Sequence, residues 1–470
     1  MKRIGILTAG GDTPALNATL LGAVHKANEL RIEMIGLQNG FQSLYCPRVP
    51  HVHLNPAFEP IPELDATSGG TILGSSRTYV DERDSTGLDA VYSRLRGLKL
   101  DGLVCVGGDG TLNGLQPLCR CLPTVLAPKT IDNDLGLNYP GEAAQWEREE
   151  QADTFQYRRG KGDPRDYDAL ELESMINYVT PGFATAVFVA AGGVRRVRTT
   201  AESHRRVAIV EVMGRHSGYL AMGSSYGQPD IVLIPEIPVN IQRLASRVED
   251  VCRRQKHAVI VCGEGIVNAQ GDPFGNMHRS SDPAGNQRFA GAADALKQEL
   301  IKTIPKTFLC ELGGFEDPDT AIFTRKVGHT QRGGRPLTFD RFHGSQLGAH
   351  TVEMLVAGEN NRVATLQWHG QDVGFLVESH DAEEFRDPWG EIHPRTVHQS
   401  MYNQEEMRIS KVAYSYLRPI FESAIGADDT ESIRQTLFDS GNLAHPYQSV
   451  NVLMANRTEY LKESNHGGPS

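Results

Sequence analysis

The sequence predicts an α/β fold of two domains, each a three-layer α/β/α arrangement around a mostly parallel sheet. Short apolar runs alternate with amphipathic helical patterns over about 260 residues, which is typical of stacked βαβ units. Glycine-rich turns follow several of these runs, as is common where strands end at the ligand-binding edge of a sheet. The chain has 470 residues, more than a single core usually accommodates, and this favours two domains.

The composition argues against some classes of partner. The 47 basic and 58 acidic residues give a net charge of −11, which disfavours a general nucleic-acid or anionic-membrane surface. The seven cysteines include no CxxC pair, so we expect reduced thiols in a reducing compartment. The chain begins with a strand pattern rather than a signal peptide, and no apolar run reaches the roughly 18 residues of a membrane span. We therefore expect a cytoplasmic protein.

The first strand pattern, residues 3–8, leads into a glycine turn and then a helical pattern at residues 16–27. Bare backbone N–H groups in such a turn, together with the positive end of the helix dipole, can face an anion. The turn is neither a Walker A loop nor a dinucleotide fingerprint, and alone it is more often structural. It makes Gly11 a candidate phosphate contact.

A second glycine-rich loop, residues 69–77, ends in Arg77. The planar guanidinium offers paired donors that suit a phosphate group. A third loop follows the apolar run 103–106 and contains Gly107, Gly108, Asp109, Gly110 and Thr111. Its glycines allow close approach of a nucleotide to the backbone, and the carboxylate of Asp109 can hold magnesium.

The stretch 128–134 places Asp132 and Asp134 on either side of an asparagine, after the apolar run 122–127. Two such carboxylates repel each other unless they share a cation or a proton. A magnesium ion with a phosphate would resolve that repulsion. An Asp/Asn-rich surface turn is the alternative for this stretch taken alone. Four strand-to-loop sites with phosphate chemistry are unlikely to arise together by accident.

The second half of the chain repeats the pattern with other polar ends. Strand patterns at 207–212, 231–236 and 258–261 lead respectively to Met213-Gly214-Arg215, to Pro235-Glu236 and to Glu264, and a helical pattern spans 240–255. A glycine-flanked turn at 327–334 carries His329 and Arg332.

Residues 138–175 are highly charged and predict an exposed insertion without a stable apolar face. Helices are expected at 398–417, ending before Pro419, and at 430–438, without assigned chemistry.

Taken in order, these motifs resemble the phosphofructokinase family. The matching segments are 8–12, 74–77, 107–111, 128–134, 213–215, 235–236, Glu264 and 329–334. The resemblance implies two Rossmann-like domains with the active site in the cleft between them. Residues 1–137 and about 333–395 would form the nucleotide-binding domain, and residues 176–332 the sugar-phosphate domain. The insertion 138–175 and a helical C-terminal extension, 396–470, are absent from compact members.

The resemblance also implies an activity, ATP-dependent phosphorylation of fructose 6-phosphate to fructose 1,6-bisphosphate in glycolysis. Asp132 would be the general base, Arg215 would neutralise transition-state charge, and Thr130 would lie by the transferred group. Asp109 and Asp134 would hold Mg²⁺. The nucleotide contacts would be Gly11, Arg77, Gly108, Gly110 and Thr111. The sugar-phosphate contacts would be Met213, Gly214, Glu264, His329 and Arg332, with Arg332 chiefly on the 6-phosphate.

Two further arginines bear on assembly and specificity. Arg206 matches an arginine that reaches the neighbouring subunit's site in this family, which implies a homodimer or homotetramer. Phe323 stands where the family commonly has a second 6-phosphate arginine, and Arg325 lies two residues on, on the same strand face. If Arg325 does not substitute, another sugar phosphate such as sedoheptulose 7-phosphate becomes an alternative.

The phosphoryl donor depends on Gly110 and Lys129. Pyrophosphate users in the family have aspartate at the first position and lysine at the second, and this chain has only the lysine. Glycine leaves room for the α-phosphate of ATP, so ATP is favoured and a pyrophosphate-dependent phosphotransferase is the alternative. If the chain were an NAD kinase or a lipid kinase, Asp132 and His329 would have no assigned function. A non-catalytic subunit would be expected to lack Asp132 or Asp109.

Overall fold

The computed structural model describes residues 1–46, 48–78, 80–81, 83–151, 154–160, 170–275, 289, 291–422, 424–426 and 450–460. The described strands, numbered along the chain, are β1 (Arg3–Thr8), β2 (Glu33–Leu37), β3 (His51–His53), β4 (Gly102–Gly107), β5 (Thr124–Pro128), β6 (Trp146–Gln151), β7 (Thr154–Arg159), β8 (Val207–Val212), β9 (Ile231–Leu233), β10 (Ala258–Gly263), β11 (Ile322–Lys326), β12 (Arg362–Trp368), β13 (Phe375–Asp381), β14 (Tyr402–Asn403), β15 (Arg408–Ile409) and β16 (Thr458–Glu459).

The described α-helices are α1 (Leu16–Glu29), α2 (Gln42–Tyr45), α3 (Ser85–Gly97), α4 (Asp109–Cys119), α5 (Phe183–His204), α6 (Tyr219–Gly223), α7 (Ile241–Gln255), α8 (Ala292–Thr303), α9 (Lys306–Gly313), α10 (Thr338–Val356), α11 (Lys411–Phe421) and α12 (Val450–Ala455). Among these residues, no helix combines the length and the apolar character needed to cross a membrane. All seven cysteines are free thiols.

Two sheets form the frame of the molecule. The first has eight strands in the order β13-β12-β5-β4-β1-β2-β3-β16, and its central strands from β12 to β2 run parallel. Strands β13, β3 and β16 are antiparallel additions at its two edges. The second sheet has four strands in the order β11-β8-β10-β9, all parallel.

Helices cover both faces of each sheet. Every residue of β4 and β8 is buried, which requires apolar layers on both sides of a parallel sheet. On the first sheet, α1 and α10 pack on one face and α3 and α4 on the other. On the second sheet, α5 and α11 lie on one face and α7 and α8 on the other. The predicted three-layer α/β fold is confirmed.

Helices α1 and α10 approach each other closely because glycines lie at their contact. A Cβ atom on Gly22 would collide with the main-chain carbonyl of Ser345. A Cβ atom on Gly348 would likewise collide with the carbonyl of Thr19. This contact joins the helix after the first glycine turn to the helix that returns the chain to the first sheet.

The charged insertion is more ordered than the sequence indicated. Residues 146–159 contain the antiparallel pair β6 and β7. The ring of Trp146 stacks on that of His393 with 3.8 Å between centroids. The ring centroid of Tyr157 lies 5.1 Å from that of His393. The hairpin is mostly exposed, as expected, but aromatic contacts with a distant segment give it a regular structure that the sequence did not indicate. Residues 161–169 of the insertion lie outside the described residues.

The helix expected at 398–417 is only partly correct. A short 3-10 turn, Gln399–Met401, is followed by the hairpin β14 and β15, and the helix α11 begins at Lys411. The side chain of Ser410 caps α11 by accepting hydrogen bonds from the backbone N–H groups of Val412 and Ala413. Pro419 lies within the last turn of α11 rather than ending the helix before it. The second expected helix, 430–438, lies outside the described residues.

Candidate active site

An open pocket lies between the two sheets, at the carboxyl ends of β1, β4 and β5. Its empty volume, open solvent included, is about 620 Å³. The lining residues are Ala9, Gly10, Gly11, Thr13, Phe41, Ser76, Arg77, Thr78, Gly108, Asp109, Gly110, Thr111, Lys129, Thr130, Asp132, Asp134, Arg215 and Arg332. Arg215 follows β8 and Arg332 follows β11, so the second sheet supplies one wall.

The backbone around the first and third glycine loops faces this pocket. Helix α4 begins at Asp109 directly after β4, so its unpaired N–H groups and its positive dipole end adjoin the lining. Gly10 has a φ of +81°, a conformation that favours glycine. These features form an environment suited to anionic phosphate groups.

The turn 130–134 is fixed by its own hydrogen bonds. The hydroxyl of Thr130 accepts from the backbone N–H of Asp132 at 3.0 Å and donates to Oδ1 of Asp134 at 3.0 Å. Asn133 has a φ of +57°, in the left-handed region. Asp132 is buried, and its Oδ1 atom has no hydrogen-bond partner among the residues that the structure describes. An acceptor atom in that state is available for a proton or a ligand.

The acidic side chains of the pocket lie close enough together to perturb one another. Burial, with the charges of Asp109 and Asp132, raises the pKa of Asp134 to about 7, and Arg215 opposes this shift. Magnesium prefers oxygen ligands and is commonly held by one or two carboxylates plus phosphate and water. In the described part of the chain, no three His, Cys, Asp or Glu side chains converge on a metal position. Asp109 and Asp134 nevertheless fit the two-carboxylate pattern.

Lys129 lies beneath the acidic turn. It is buried, and its Nζ donates to the main-chain carbonyl of Gly11. Burial, followed by the charge of Arg332, lowers the pKa of Lys129 to about 7, while Asp12 and Asp109 pull in the opposite direction. A pKa in this range leaves the Lys129 amine only partly protonated near neutral pH.

Arg215 follows a strained turn after β8. Gly214 has a φ of +131°, and a Cβ there would lie 2.6 Å from the carbonyl oxygen of Ser217. Arg215 itself has a φ of +49°, which is uncommon for a residue with a side chain. Its backbone N–H donates to Oε1 of Glu264 at 3.3 Å. Burial, with the nearby charge of Asp132, raises the pKa of Glu264 to about 7.

Arg332 approaches both the base candidate and the first glycine loop. Its Nη2 lies 3.9 Å from Oδ2 of Asp132, and its Nη1 donates to the main-chain carbonyl of Asp12 at 3.4 Å. A Cβ on Gly11 would lie 2.9 Å from Nη1, so glycine is needed for this approach. Arg332 thus faces the acidic turn rather than the outer surface.

The structure brings most of the predicted site residues together. Twelve of them line the pocket: Gly11, Arg77, Gly108, Asp109, Gly110, Thr111, Lys129, Thr130, Asp132, Asp134, Arg215 and Arg332. Six do not: Arg206, Met213, Gly214, Glu264, Arg325 and His329. Of these, Gly214 and Glu264 adjoin Arg215. Met213 donates its backbone N–H to the buried side chain of Gln331 at 3.1 Å.

The remaining three predicted residues lie away from the pocket. His329 is exposed on the turn Gly328–Gln331. Arg325 is exposed on β11, and its guanidinium lies 5.8 Å from the ring centre of Phe323, so the two share a strand face as expected. Arg206 directly precedes β8, whereas Met213 follows it, which separates Arg206 from the pocket end of that strand by roughly 20 Å.

Sequence reasoning missed two groups of residues. Six further residues line the pocket, and all except Phe41 lie within or next to the matching segments 8–12 and 74–77: Ala9, Gly10, Thr13, Phe41, Ser76 and Thr78. The second group supports the turn 130–134 from behind and includes Arg395. No local pattern marks that arginine, because its partners lie more than 200 residues earlier in the chain.

Comparison with known proteins shows a family to which this chain matches and several proteins of similar sequence. Residues 3–138 and 174–355, more than half of the chain, match the family described as Phosphofructokinase. The Streptomyces coelicolor protein named ATP-dependent 6-phosphofructokinase 3 is 33% identical over 392 residues, covering 81% of this chain and 95% of the relative. The Dictyoglomus thermophilum protein named pyrophosphate–fructose 6-phosphate 1-phosphotransferase is 32% identical over 363 residues, covering 76% of this chain and 87% of the relative.

A solved structure supports the fold. The pyrophosphate-dependent phosphofructokinase from Marinobacter aquaeolei matches with a TM-score of 0.66 at 18% identity, over 91% of this chain and 92% of that one. The relatives thus include proteins named for each of two phosphoryl donors. By sequence and by fold, this chain belongs to the phosphofructokinase family and is a phosphotransferase.

Proposed function

We propose that this protein transfers the γ-phosphoryl group of Mg-ATP to the 1-hydroxyl of fructose 6-phosphate, the phosphofructokinase step of glycolysis. The observation that carries the proposal is one pocket in which Asp109, Asp132 and Asp134 lie opposite Arg77, Arg215 and Arg332. Phosphoryl transfer needs positioning and charge stabilisation more than covalent chemistry, and this set of side chains supplies both.

Asp132 is the proposed general base. Its Oδ1 atom is buried without a hydrogen-bond partner among the described residues, so it can accept the proton that the sugar hydroxyl loses on attack. Arg215 would neutralise the charge that develops on the transferred group, with Thr130 beside it. Gly11, Arg77, Gly108, Gly110 and Thr111 are the proposed contacts for the nucleotide phosphates, next to the start of α4.

Asp109 and Asp134 are the proposed holders of Mg²⁺. Burial, with the charges of Asp109 and Asp132, raises the pKa of Asp134, and a divalent cation would relieve the repulsion among these carboxylates. When bound, the ion would neutralise phosphate charge. The residues of this chain would fix its place by two carboxylate oxygens.

The sugar phosphate requires contacts beyond the pocket lining. Met213, Gly214 and Glu264 are proposed to contact the sugar from the loops after β8 and β10. Arg332 faces Asp132 in this structure, so gripping the 6-phosphate would require its side chain to turn outward towards His329 when the sugar binds. Arg206 is proposed to serve the site of a neighbouring copy in a homodimer or homotetramer, and Arg325 to supply further positive charge.

The donor assignment depends on Gly110 in the first turn of α4, where glycine leaves room for a nucleotide. Lys129, which lines the pocket, matches the lysine of pyrophosphate users, but its combination with Gly110 resembles a subgroup of ATP users, so pyrophosphate stays the alternative donor. Another sugar phosphate, such as sedoheptulose 7-phosphate, is the alternative acceptor. We place the reaction in the cytoplasm, a reducing compartment that agrees with the seven free thiols.

The test is a matrix of donors and acceptors on the purified protein. Mg-ATP and magnesium pyrophosphate are each combined with fructose 6-phosphate and sedoheptulose 7-phosphate, and initial rates are measured. We expect the highest kcat/KM for Mg-ATP with fructose 6-phosphate. Turnover with pyrophosphate alone would overturn the donor assignment. A strong preference for the seven-carbon sugar would overturn the acceptor assignment.

A further inference from the structure

The residue between the two acidic side chains of the turn is held from three sides. Asn133 is fully buried in a left-handed conformation. Its side-chain oxygen accepts from the backbone N–H of Thr180 at 3.0 Å, and its side-chain nitrogen donates to the hydroxyl of Tyr416 at 2.6 Å. Its main-chain oxygen accepts from Nη2 and Nε of Arg395 at 2.9 and 3.3 Å.

Arg395 is a buried cation whose acceptors are main-chain carbonyls. Besides Asn133, it donates to the carbonyl oxygens of Asn177 at 2.8 Å and Tyr178 at 3.2 Å. Its backbone N–H also donates to the carbonyl oxygen of Asp134 at 2.6 Å. Arg395 is only 2% exposed, and within the described part of the chain its side chain donates to main-chain carbonyl oxygens and not to a carboxylate.

Burying Arg395 among carbonyl groups costs free energy, and a role in fixing the positions of those carbonyls would explain why the protein tolerates that cost. Burying a guanidinium without a carboxylate removes its hydration, which the carbonyl groups replace only in part. Its rigid, planar set of donors can, however, hold several carbonyls at fixed relative positions. The carbonyls held here belong to the acidic turn and to the segment before α5, so Arg395 joins the two.

The supporting residues come from outside the shared family region. That region ends at residue 355, whereas Arg395 follows β13 and Tyr416 lies in α11. Sequence reasoning assigned no chemistry to the chain beyond about residue 395. The contacts give this segment a direct connection to both Asp132 and Asp134 through Asn133.

We propose that Arg395 and Tyr416 are positioning residues, which hold Asn133 and thereby fix the separation and direction of the Asp132 and Asp134 carboxylates. The proposal rests on the function proposed above. Phosphoryl transfer is sensitive to displacements of less than an ångström in the base and the metal-holding groups. A loosened turn would therefore lower the rate of the chemical step more than the binding of either substrate.

A matched pair of tyrosines allows a sharp test. The rings of Tyr178 and Tyr416 stack with 4.7 Å between centroids, and each hydroxyl donates to the other residue's main-chain oxygen at 2.8 Å. Only the hydroxyl of Tyr416 also accepts from Asn133. Tyr416→Phe and Tyr178→Phe therefore each remove one buried hydroxyl from the same place, but only the first releases the turn.

We expect Tyr416→Phe to lower kcat about 10- to 100-fold, with KM for both substrates changed less than about threefold. Tyr178→Phe should keep kcat within about twofold of wild type. Hydrogen–deuterium exchange of residues 130–135 should be faster in Tyr416→Phe than in Tyr178→Phe at matched thermal stability. Equal kcat values for the two variants, or equal exchange rates, would overturn the proposal.

A second pair tests the arginine. Arg395→Lys keeps the charge but cannot bridge several carbonyls, so kcat should again fall while KM is retained. Arg94→Lys is the control and should keep kcat near that of wild type, because Arg94 is also buried and donates to the main-chain oxygen of Val49, away from the turn and the pocket. Should Arg395→Lys fail to fold, the tyrosine pair decides.

The assays use whichever donor and sugar phosphate the wild-type protein turns over best. A wrong donor or acceptor assignment therefore does not affect the comparison between variants. If the wild-type protein turned over no donor with any sugar phosphate, the proposed function would fail. The exchange rates of residues 130–135 would still decide whether Tyr416 holds the turn.

Discussion

Gly110 is the position that best distinguishes ATP from pyrophosphate as the phosphoryl donor. It lies in the first turn of α4 and lines the pocket. The exchange Gly110→Asp is compatible with a helix start, where acidic side chains are favourable. Because the new carboxylate would crowd and repel a nucleotide phosphate, we expect kcat/KM for Mg-ATP to fall by about 100-fold, or roughly 3 kcal/mol.

The control for this prediction is Asn113→Asp, which adds the same charge one turn further along α4. The oxygen of Asn113 already accepts from Arg386 at 3.2 Å, so an acidic group is tolerated there. Steady-state kinetics should show kcat/KM within about threefold of wild type. Similar losses for both exchanges would indicate a general field effect instead of a local contact with the donor.

Individual site residues differ in whether the sequence alone could predict them. Asp109 and Asp132 were predictable because each follows a strand pattern and strand ends in such sheets converge, and Arg77 because it ends a glycine-rich loop. Arg395 was not, because the contacts that give it meaning form only when distant segments meet. The sequence likewise gave no reason to expect Arg332 beside Asp132 rather than beside His329.

At the scale of elements, the packing of α1 against α10 depends on glycine. Gly348→Ala should lower the free energy of unfolding by about 1–3 kcal/mol, since its new methyl group would meet the backbone of α1. Gly192→Ala, within α5, should instead stabilise the protein by about 0.5–1 kcal/mol, because no atom lies near the new Cβ. Urea denaturation measures both. If both exchanges changed the free energy of unfolding in the same direction, the packing described for α10 or for α5 would be wrong.

A buried carboxyl group links α6 to the segment after β13. Glu236 accepts through Oε1 from the backbone N–H groups of Gly218 at 2.8 Å and Val397 at 2.7 Å, while its buried Oε2 has no hydrogen-bond partner in the described part of the chain. Burial raises the pKa of Glu236 to about 7. The folded state therefore keeps a proton that the unfolded chain releases above its ordinary pKa of 4.5, so rising pH weakens folding between these values.

Glu236→Gln removes this proton while keeping the shape and the oxygen acceptor. We expect the stability of the variant relative to wild type to rise by about 1–3 kcal/mol between pH 5 and pH 8, measured by thermal denaturation. Glu311→Gln, at an exposed position of α9, should show no such trend. A pH-independent difference for Glu236→Gln would mean that the carboxyl group is ionised in the folded protein throughout.

Secondary structure was predictable where one local pattern dominated. The buried strands β4 and β8 and the helix α7 agree closely with their apolar patterns. The segment 402–409 does not, because it is drawn into a hairpin against the edge of the second sheet. There the backbone N–H of Val232 donates to the carbonyl oxygen of Met407 at 2.9 Å. Such tertiary contacts override a local helical pattern.

At the scale of the whole molecule, Arg206 lies at the wrong end of β8 to serve its own pocket. We expect Asp132→Asn to lose nearly all turnover for want of a base, and Arg206→Ala to raise KM for the sugar phosphate at least about tenfold. Mixing the two proteins after reversible dissociation should restore part of the activity. In a mixed oligomer, one site would combine an intact Asp132 with an intact Arg206 from the neighbouring copy.

The control is a mixture of either variant with itself, which should stay impaired. Recovery of activity in the mixed sample, followed by coupled assay against time, would support sites shared between copies. No recovery despite demonstrated subunit exchange would indicate that Arg206 acts within its own chain or only in folding.

The supports of the acidic turn have a consequence for biosynthesis. Residues 130–134 leave the ribosome some 280 residues before Tyr416, a delay of about 15–55 s at ordinary elongation rates. During that interval the first sheet can begin to assemble while its acidic turn still lacks both anchors. A nascent chain would thus lack full activity until the segment that carries Tyr416 had left the ribosome and folded.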